Sequence, residues 1–107
     1  ITVNGTGEQT RDFINVRDVA LIIKAALSPK WNGKTVDLAT GKLVTINYIA
    51  ELFGHFSKSL VVNHGKPVRE IKWSKANLQM LNSLYKKKLT TNLEKDIEEI
   101  WRYYETD

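Results

Sequence analysis

Apolar residues recur along this chain at two spacings, and each spacing predicts one type of element. Four stretches repeat apolar positions every three or four residues, as amphipathic helices do, at 18–27, 45–56, 74–84 and 91–104. Shorter stretches of alternating or β-branched residues predict strands at 1–3, 13–16, 35–38, 43–44 and 60–62. The pattern predicts one small mixed domain, of the α+β or α/β class, with about four helices and four to five short strands.

The polar residue before each apolar stripe predicts where the helix begins. Asp18, Thr45 and Ser74 each precede a stripe, and a side-chain oxygen at that position accepts a free backbone N–H of the first turn. The segment 91–94 has the spacing of a capping box, in which Thr91 and Glu94 satisfy each other's backbone donors. We therefore expect these residues to cap the four helices.

Gly5-Thr6-Gly7 follows the first predicted strand and predicts a turn. A dinucleotide-binding loop would need a third glycine and a helix start directly after it, but the chain continues with polar residues. His55 and His64 have no acidic or histidine partner at the spacing of metal ligands. The sequence therefore predicts neither a cofactor loop nor a metal site.

The composition narrows the class of protein. The chain has 107 residues, enough for one domain with a modest core, and no cysteine. A disulfide scaffold, a thiolate zinc site and a cysteine nucleophile are therefore excluded. The longest apolar run, from Val19 to Ile23, is far shorter than the roughly 20 residues that span a bilayer. We expect a soluble cytoplasmic unit without a membrane partner, and the strand at Ile1, which has no lead-in, indicates a piece of a longer chain.

The charge of the chain is uneven. There are 16 Lys and Arg residues and 12 Asp and Glu residues, a formal net charge of +4. Residues 66–88 hold seven of the basic residues and one acid, Glu70, whereas residues 89–107 are acidic. A phosphate-bearing ligand fits the basic segment, and so does a solvated lysine-rich face. Nucleic acid is the weaker alternative, because aromatic residues are not interleaved with the lysines beyond Trp73 and Tyr85.

Two arginines are candidate phosphate ligands. Arg11 follows the glycine turn beside a predicted strand, and Arg69 follows Pro67. A guanidinium presents a planar fork of donors that matches phosphate oxygens. The alternative for both is an Arg–Asp or Arg–Glu surface pair, since Asp12 and Glu70 are adjacent to them in sequence.

The stretch 1–20 also carries a specific motif. It consists of a strand, Gly-x-Gly, polar residues, Arg-Asp-Phe and Val-x-Asp-Val-Ala, formed by Gly5, Gly7, Arg11, Asp12, Phe13, Val16, Asp18, Val19 and Ala20. This motif resembles the C-terminal region of the NAD-dependent nucleotide-sugar epimerase/dehydratase family, within the extended short-chain dehydrogenase/reductases. Pro67-x-Arg69 and the segment 74–76 resemble later segments of that region, so the resemblance covers essentially the whole chain.

The resemblance implies that residues 1–107 are a single substrate-binding region, without the Rossmann cofactor half of the family fold. It implies that Arg11 and Arg69 bind the diphosphate of a nucleotide-sugar, that the backbone from Ile1 to Val3 lies along the nucleobase, and that Glu70 contacts the ribose. The implied partners are a nucleotide-diphosphate sugar and the N-terminal Rossmann portion of the same protein. A homo-oligomer stays open.

The family's glycine-rich NAD loop and Tyr-x-x-x-Lys catalytic pair lie upstream of the motifs found here. The resemblance therefore implies NAD as the cofactor of the full-length family, with no cofactor site or catalytic residue in this chain. Asn4 stands where the family usually has an aromatic residue, and Thr6 replaces an aspartate. We expect the chain alone to be inactive. A stand-alone nucleotide-binding module and a basic nucleic-acid-binding protein are the alternatives, so whether the chain is itself an enzyme stays open.

Overall fold

Four helices and four short strands make up the part of the chain that the computed structural model describes, residues 1–105. The helices are α1 (Val16–Ala25), α2 (Ile46–Phe56), α3 (Gln79–Leu84) and α4 (Leu93–Glu105), with a 3₁₀ turn at Pro29–Trp31. The strands are β1 (Thr2–Asn4), β2 (Thr10–Arg11), β3 (Val44–Thr45) and β4 (Asn63–Gly65). The predicted fold class is confirmed.

The strands form two separate pairs. β1 and β4 are parallel, with Val3 opposite His64. β2 and β3 are antiparallel, with Thr10 opposite Thr45. Both pairs join the beginning of the chain to distant segments, so the glycine turn between β1 and β2 is held against residues from the middle of the chain.

Three predicted strands differ from the structure. The strand predicted at 13–16 is wrong, because Asn15 caps α1 and the helix begins at Val16. The strand predicted at 35–38 is also wrong, because no backbone group of residues 35–39 is hydrogen-bonded to another residue within 1–105. The strand predicted at 60–62 forms three residues later, as β4, where it pairs with β1.

Asp18 does not cap α1, and the prediction that it does is wrong. The cap is Asn15, whose side-chain oxygen accepts the backbone N–H of Arg17 at 2.8 Å. Asp18 lies inside the helix with 1% of its surface exposed. Its carboxylate accepts the N–H and hydroxyl groups of Thr90 and Thr91 at 2.6–3.0 Å. Asp18 therefore ties α1 to the segment that precedes α4.

The predicted start of α2 is confirmed, whereas the predicted start of α3 is not. Thr45 caps α2 as predicted, since its hydroxyl accepts the N–H of Tyr48 at 3.1 Å. The start predicted for α3 at Ser74 is wrong. The helix begins at Gln79, whose N–H donates to the side chain of Asn77 at 3.1 Å. An asparagine side chain competes with the helical backbone for such donors, so it marks the later start.

The capping box predicted for Thr91 and Glu94 is wrong, because Asn92 and Asp96 cap α4 instead. Asn92 accepts the N–H of Lys95 at 3.1 Å, and Asp96 accepts the N–H of Asn92 at 3.0 Å. The predicted partners bind elsewhere: Thr91 donates to the buried carboxylate of α1, and Glu94 accepts a hydroxyl of α2, both at 2.6 Å. Tertiary contacts therefore decide which neighbouring residues cap this helix.

The main core lies between α1, the 3₁₀ turn and α3. Ile22, Trp31 and Leu81 are buried there. Partly buried apolar residues surround them: Ile14, Ala25, Ala26, Val36, Leu38, Leu78, Leu84, Tyr85 and Leu89. Leu52 of α2 and Ile97 of α4 are also buried. Across residues 1–105, no helix combines the length and the apolar character that crossing a membrane requires.

Candidate functional site

The Gly5–Gly7 turn at the end of β1 is the centre of the candidate site. Gly5 and Gly7 have φ angles of +63° and +75°, a conformation that favours glycine. The N–H of Gly5 donates to the carbonyl of Gly65 at 3.2 Å, and the carbonyl of Gly7 accepts the N–H of Asn47 at 3.0 Å. The predicted turn is therefore confirmed, and it joins the β1–β4 pair to the first turn of α2.

A cleft of about 520 Å³ lies between this turn and the segment that follows β4. Its walls consist of Asn4, Gly5, Thr6, Glu8 and Gln9 on one side and Pro67, Val68, Glu70 and Lys72 on the other. The walls are joined beyond the cleft, where the N–H of Thr10 donates to the carbonyl of Lys72 at 2.8 Å. The glycine turn and the segment 67–72 therefore form one local structure.

Arg11 and Glu70 meet beside this cleft. The guanidinium donates to Glu70 Oε2 at 3.1 Å and to the carbonyl of Thr10 at 2.7 Å, and Gln9 donates to Glu70 Oε1 at 2.9 Å. The side chains of Arg11 and Glu70 are 29% and 33% exposed, so a ligand can reach both. The structure brings these two predicted residues together as the Arg–Glu pair that was the alternative to phosphate binding.

Arg69 is adjacent in sequence to this pair but forms no pair of its own. It is exposed, and within residues 1–105 it has no hydrogen bond or ion pair. It does not line the cleft, whereas Val68 and Glu70 do. Its donors are therefore available to an anionic ligand.

Ile1 directly precedes β1 and Val3 lies within it, on the strand that leads into the turn. Val3 is 2% exposed and Ile1 is 46% exposed. No hydrogen bond joins either residue to Arg11 or Arg69 within the described part of the chain. β1 pairs with β4 alone among residues 1–105, and of the two residues only Ile1 is exposed enough for a ligand to reach.

The framework around Arg11 includes contacts that sequence patterns did not indicate. Gln9 and Arg11 both bind Glu70, 61 and 59 residues away. Asp12 accepts the N–H groups of Thr40 at 2.9 Å and Gly41 at 2.7 Å, and so holds the segment 40–41 against the residue that follows Arg11. No periodicity or local motif in the sequence indicates contacts between residues that are so far apart along the chain.

A larger cavity of about 640 Å³ lies apart from these residues, between the segment 13–17, α2 and α4. Apolar and aromatic side chains, among them Phe13, Phe53, Ile100 and Tyr104, form most of its wall. None of the predicted site residues lines it. Within residues 1–105 no group of three or more acidic or histidine side chains could hold a metal ion.

Comparison with known proteins places this geometry in context. No model of a protein family matches the chain. Among curated proteins, 51 residues are 39% identical to a protein of Methanocaldococcus jannaschii named "Putative UDP-glucose 4-epimerase". That match covers 48% of this chain and 16% of the relative.

Solved structures match nearly all of the chain. A UDP-glucuronic acid 4-epimerase from Bacillus cereus, in complex with UDP-glucuronic acid and NAD, has a TM-score of 0.85 at 28% identity over 98% of this chain. An NAD-dependent NDP-hexosamine 5,6-dehydratase of tunicamycin biosynthesis shares the fold, with a TM-score of 0.89 at 20% identity over 99% of the chain.

The chain spans 35% of the length of each of these two structures. The match extends from the glycine turn through α4, the same stretch that carries the family motifs. The resemblance seen in the sequence is therefore confirmed: the chain is similar to a C-terminal portion of NAD-dependent UDP-sugar epimerases and dehydratases.

Proposed function

We propose that this chain is the nucleotide-sugar-binding region of an NAD-dependent sugar epimerase or dehydratase. The observation that carries the proposal is the position of Arg11, Glu70 and Arg69 at the glycine turn, in a fold shared with a UDP-glucuronic acid 4-epimerase. In this role the chain, as a single region, holds the nucleotide end of the substrate.

Arg11 and Arg69 bind the diphosphate in this proposal. A diphosphate has more oxygen acceptors than one guanidinium can satisfy, and hydrogen bonds between charged groups are the strong ones. Arg11 is already oriented, because the Thr10 carbonyl and Glu70 hold its guanidinium. Arg69 has free donors, and Lys72 on the cleft wall adds positive charge.

Glu70 and β1 bind the nucleoside. A carboxylate has about four lone-pair sites, so Glu70 keeps acceptor capacity for ribose hydroxyls beside its bonds to Gln9 and Arg11. The segment from Ile1 to Val3 lies along the nucleobase in this proposal, and Ile1, which is 46% exposed, is the residue of the two that a ligand can reach.

The chain supplies binding rather than bond cleavage in this proposal. NAD supplies hydride transfer chemistry when it is bound, and the family's cofactor loop and proton-transfer pair belong to another portion. We therefore expect this chain alone to be inactive and to bind NAD weakly or not at all.

The proposed protein partner is that N-terminal cofactor-binding portion, and α1 offers it a surface. Val16, Ile23 and Leu27 are 76%, 59% and 82% exposed, at spacings that put them on one face of α1 and its continuation. Residues 35–39, whose backbone groups are unpaired, follow this helix and pack on the same core. An exposed apolar helix stripe fits the face of a sheet, and a segment with unpaired backbone groups fits an edge strand.

Calorimetric titration with UDP-glucuronic acid tests the binding role. We expect Arg11→Ala and Arg69→Ala each to weaken binding about tenfold to a hundredfold, because each removes charge-assisted hydrogen bonds worth about 1.5–3 kcal/mol. Arg102→Ala is the matched control, since Arg102 forms an exposed ion pair with Glu98 on α4. It should bind like the unaltered chain.

Three results would contradict separate parts of the proposal. Absence of binding by the unaltered chain would contradict the binding function. Unchanged affinity in Arg11→Ala would contradict the role of that arginine. Micromolar binding of NAD by the chain would contradict the division of roles between the two portions.

A further inference from the structure

We propose that Gln9 is a positioning residue of this site, which orients the carboxylate of Glu70 toward the ligand by bridging the two walls of the cleft. This inference rests on the proposed function, in which Glu70 binds the ribose of the nucleotide. It adds a residue that affects affinity for the nucleoside without contacting the diphosphate.

The side-chain amide of Gln9 is bonded to both walls. Its nitrogen donates to the backbone carbonyl of Asn4 at 3.1 Å and to Glu70 Oε1 at 2.9 Å. Asn4 belongs to the wall formed by the glycine turn, and Glu70 belongs to the opposite wall. Both partners are acceptors, so the nitrogen rather than the oxygen of the amide must face them, and its two N–H donors are both used.

The backbone holds Gln9 in place. Its carbonyl accepts the N–H of Ile46, the first residue of α2, at 3.1 Å. The next residue, Thr10, donates its N–H to the carbonyl of Lys72 at 2.8 Å. The amide of Gln9 therefore extends from a backbone that is attached both to α2 and to the segment 67–72, which reduces the conformational freedom to be lost when a ligand binds.

Glu70 is held at both carboxylate oxygens. Gln9 donates to Oε1, and Arg11 donates to Oε2 at 3.1 Å. The side chain of Glu70 is 33% exposed, and an exposed ion pair alone restrains a carboxylate weakly. The second bond, from Gln9, fixes its rotation. Each oxygen has two lone pairs, so each keeps one acceptor site in a defined direction.

The walls of the cleft offer acceptors that match hydroxyl groups. Besides Glu70, the carboxylate of Glu8 and the amide oxygen of Gln9 line the cleft, and within residues 1–105 neither has a hydrogen-bond partner. Lys72 is the one basic residue among the described residues of these walls. Ribose hydroxyls can donate to such acceptors, whereas phosphate oxygens need the donors of arginine.

A double-mutant cycle tests whether Gln9 acts through Glu70. We expect Gln9→Ala to weaken binding of UDP-glucuronic acid about fivefold in calorimetric titration, because Glu70 loses one of its two donors. In the Glu70→Ala background, the same substitution should change the affinity by less than about twofold. Additive losses would contradict the inference, and so would unchanged affinity in Gln9→Ala.

Gln9→Glu gives a readout that a merely structural role would not change. The introduced carboxylate keeps the length of the side chain but faces Glu70 with acceptors only. Two carboxyl groups that share one site raise the pKa of one of them, so a shared proton restores the hydrogen bond in acid. Relative to the unaltered chain at the same pH, this variant should bind UDP-glucuronic acid weakly at about pH 8 and recover at about pH 5.

The pH experiment has two controls. The other charged groups near the pair are Arg11, which binds Oε2 of Glu70, and Glu8 and Lys72 on the cleft walls, and all three are present in every variant. Gln9→Ala introduces no carboxyl group and should remain weaker at both pH values. Gln79→Glu adds the same charge on the exposed first residue of α3 and should bind like the unaltered chain. If Gln9→Glu is equally weak at both pH values, the positioning role is wrong.

Inorganic pyrophosphate, which has no ribose, separates failure of this inference from failure of the proposed function. At about pH 8 it should bind Gln9→Ala and the unaltered chain equally. If Gln9→Ala weakens both ligands equally, Gln9 acts on the phosphate site and the positioning role is wrong. If the unaltered chain binds neither ligand, both proposals are wrong. If Gln9→Ala fails to fold, the recovery of Gln9→Glu in acid decides the question.

Discussion

The glycine turn depends on the absence of a side chain at Gly7. Its φ angle is +75°, and a Cβ there would overlap the side chain of Asn47 and lie 2.9 Å from Cγ1 of Val3. We predict that Gly7→Ala lowers the free energy of unfolding by about 2 kcal/mol or more, because it adds backbone strain and steric overlap. Urea unfolding followed by circular dichroism measures the change.

Gly54→Ala is the control for that substitution. Gly54 lies inside α2, and no atom outside its own helix turn lies within 4 Å of a Cβ built there. Alanine is the better helix former by about 0.5–1 kcal/mol, so this variant should be slightly more stable. Equal stability of Gly7→Ala and the unaltered chain would show that the turn tolerates a side chain.

Asp18 makes stability depend on pH. Burial, the largest single effect, raises its pKa, but the hydrogen bonds from Thr91 and Thr90 together outweigh it and lower the pKa below the ordinary value. Because the folded pKa is lowered, the carboxylate contributes its full stability above the unfolded value of about 3.9, and this contribution is lost as the pH falls through the lower folded pKa.

We predict that Asp18→Asn costs about 2–3 kcal/mol at pH 7, since an amide replaces one acceptor oxygen by a donor facing other donors. Its stability should also change less than that of the unaltered chain as the pH falls below 4. Unfolding free energies measured at pH 7 and pH 3 test both effects. Asp37→Asn, an exposed control with one 3.4 Å bond to Asn77, should behave like the unaltered chain. Parallel pH curves for Asp18→Asn and the control would contradict this role.

Residue roles could be predicted from the sequence where their partners are local. The turn at Gly5–Gly7 and the cap at Thr45 depend on groups two or three residues away. Asp18 has the sequence context of a cap, but its true partners lie 72 and 73 residues along the chain. The chemistry of Arg11 makes it a candidate ligand. Its pairing with Glu70 rather than with the adjacent Asp12, however, depends on a contact between residues that are 59 apart in sequence.

At the scale of elements, the helices were predicted better than the strands. An apolar stripe every three or four residues is a property of the helix alone, so α1, α2 and α4 follow from periodicity. Their exact starts depend on competition between neighbouring polar residues, as Asn92 and Thr91 illustrate. A strand needs a partner, and the strands here contain two or three residues each. Such short segments carry too little pattern to specify their pairing.

Residues 35–39 illustrate this dependence on a partner. Val36 and Leu38 pack against the main core, and Ala39 is 5% exposed, so the alternating pattern correctly indicated burial. The backbone groups of this segment have no partner within residues 1–105, although buried backbone groups are nearly always paired in folded proteins. The sequence therefore predicted a strand whose neighbour, in our proposal, lies in the cofactor-binding portion.

At the scale of the whole molecule, the described part of the chain is flat and open. It measures 50 × 35 × 19 Å, and its radius of gyration is 16.5 Å, against about 13 Å for a compact domain of 100 residues. Large apolar side chains are exposed on α1, directly after it and on α4, among them Leu27 at 82% and Tyr104 at 69%. A stable monomer rarely leaves contiguous apolar surface of this kind in water, so its exposure is consistent with the proposed partner.

The stripe on α1 gives a final prediction about assembly. We expect the isolated chain to self-associate as its concentration rises, because the stripe is the surface that the proposed partner would cover. The double substitution Ile23→Glu, Leu27→Glu should make the chain monomeric while changing the free energy of unfolding by less than about 0.5 kcal/mol, since both side chains are exposed. Sedimentation velocity and urea unfolding measure the two quantities.

Lys24→Glu is the control that distinguishes loss of the apolar stripe from the effect of added negative charge. Lys24 is exposed on the same helix, so this variant gains negative charge but keeps Ile23 and Leu27, and it should self-associate like the unaltered chain. Ile22→Ala, which truncates a side chain that is 1% exposed, should cost about 2–5 kcal/mol. If the double substitution destabilises the chain as much as Ile22→Ala, the stripe packs within the chain rather than against a partner. If the unaltered chain remains monomeric at high concentration, the stripe does not drive association.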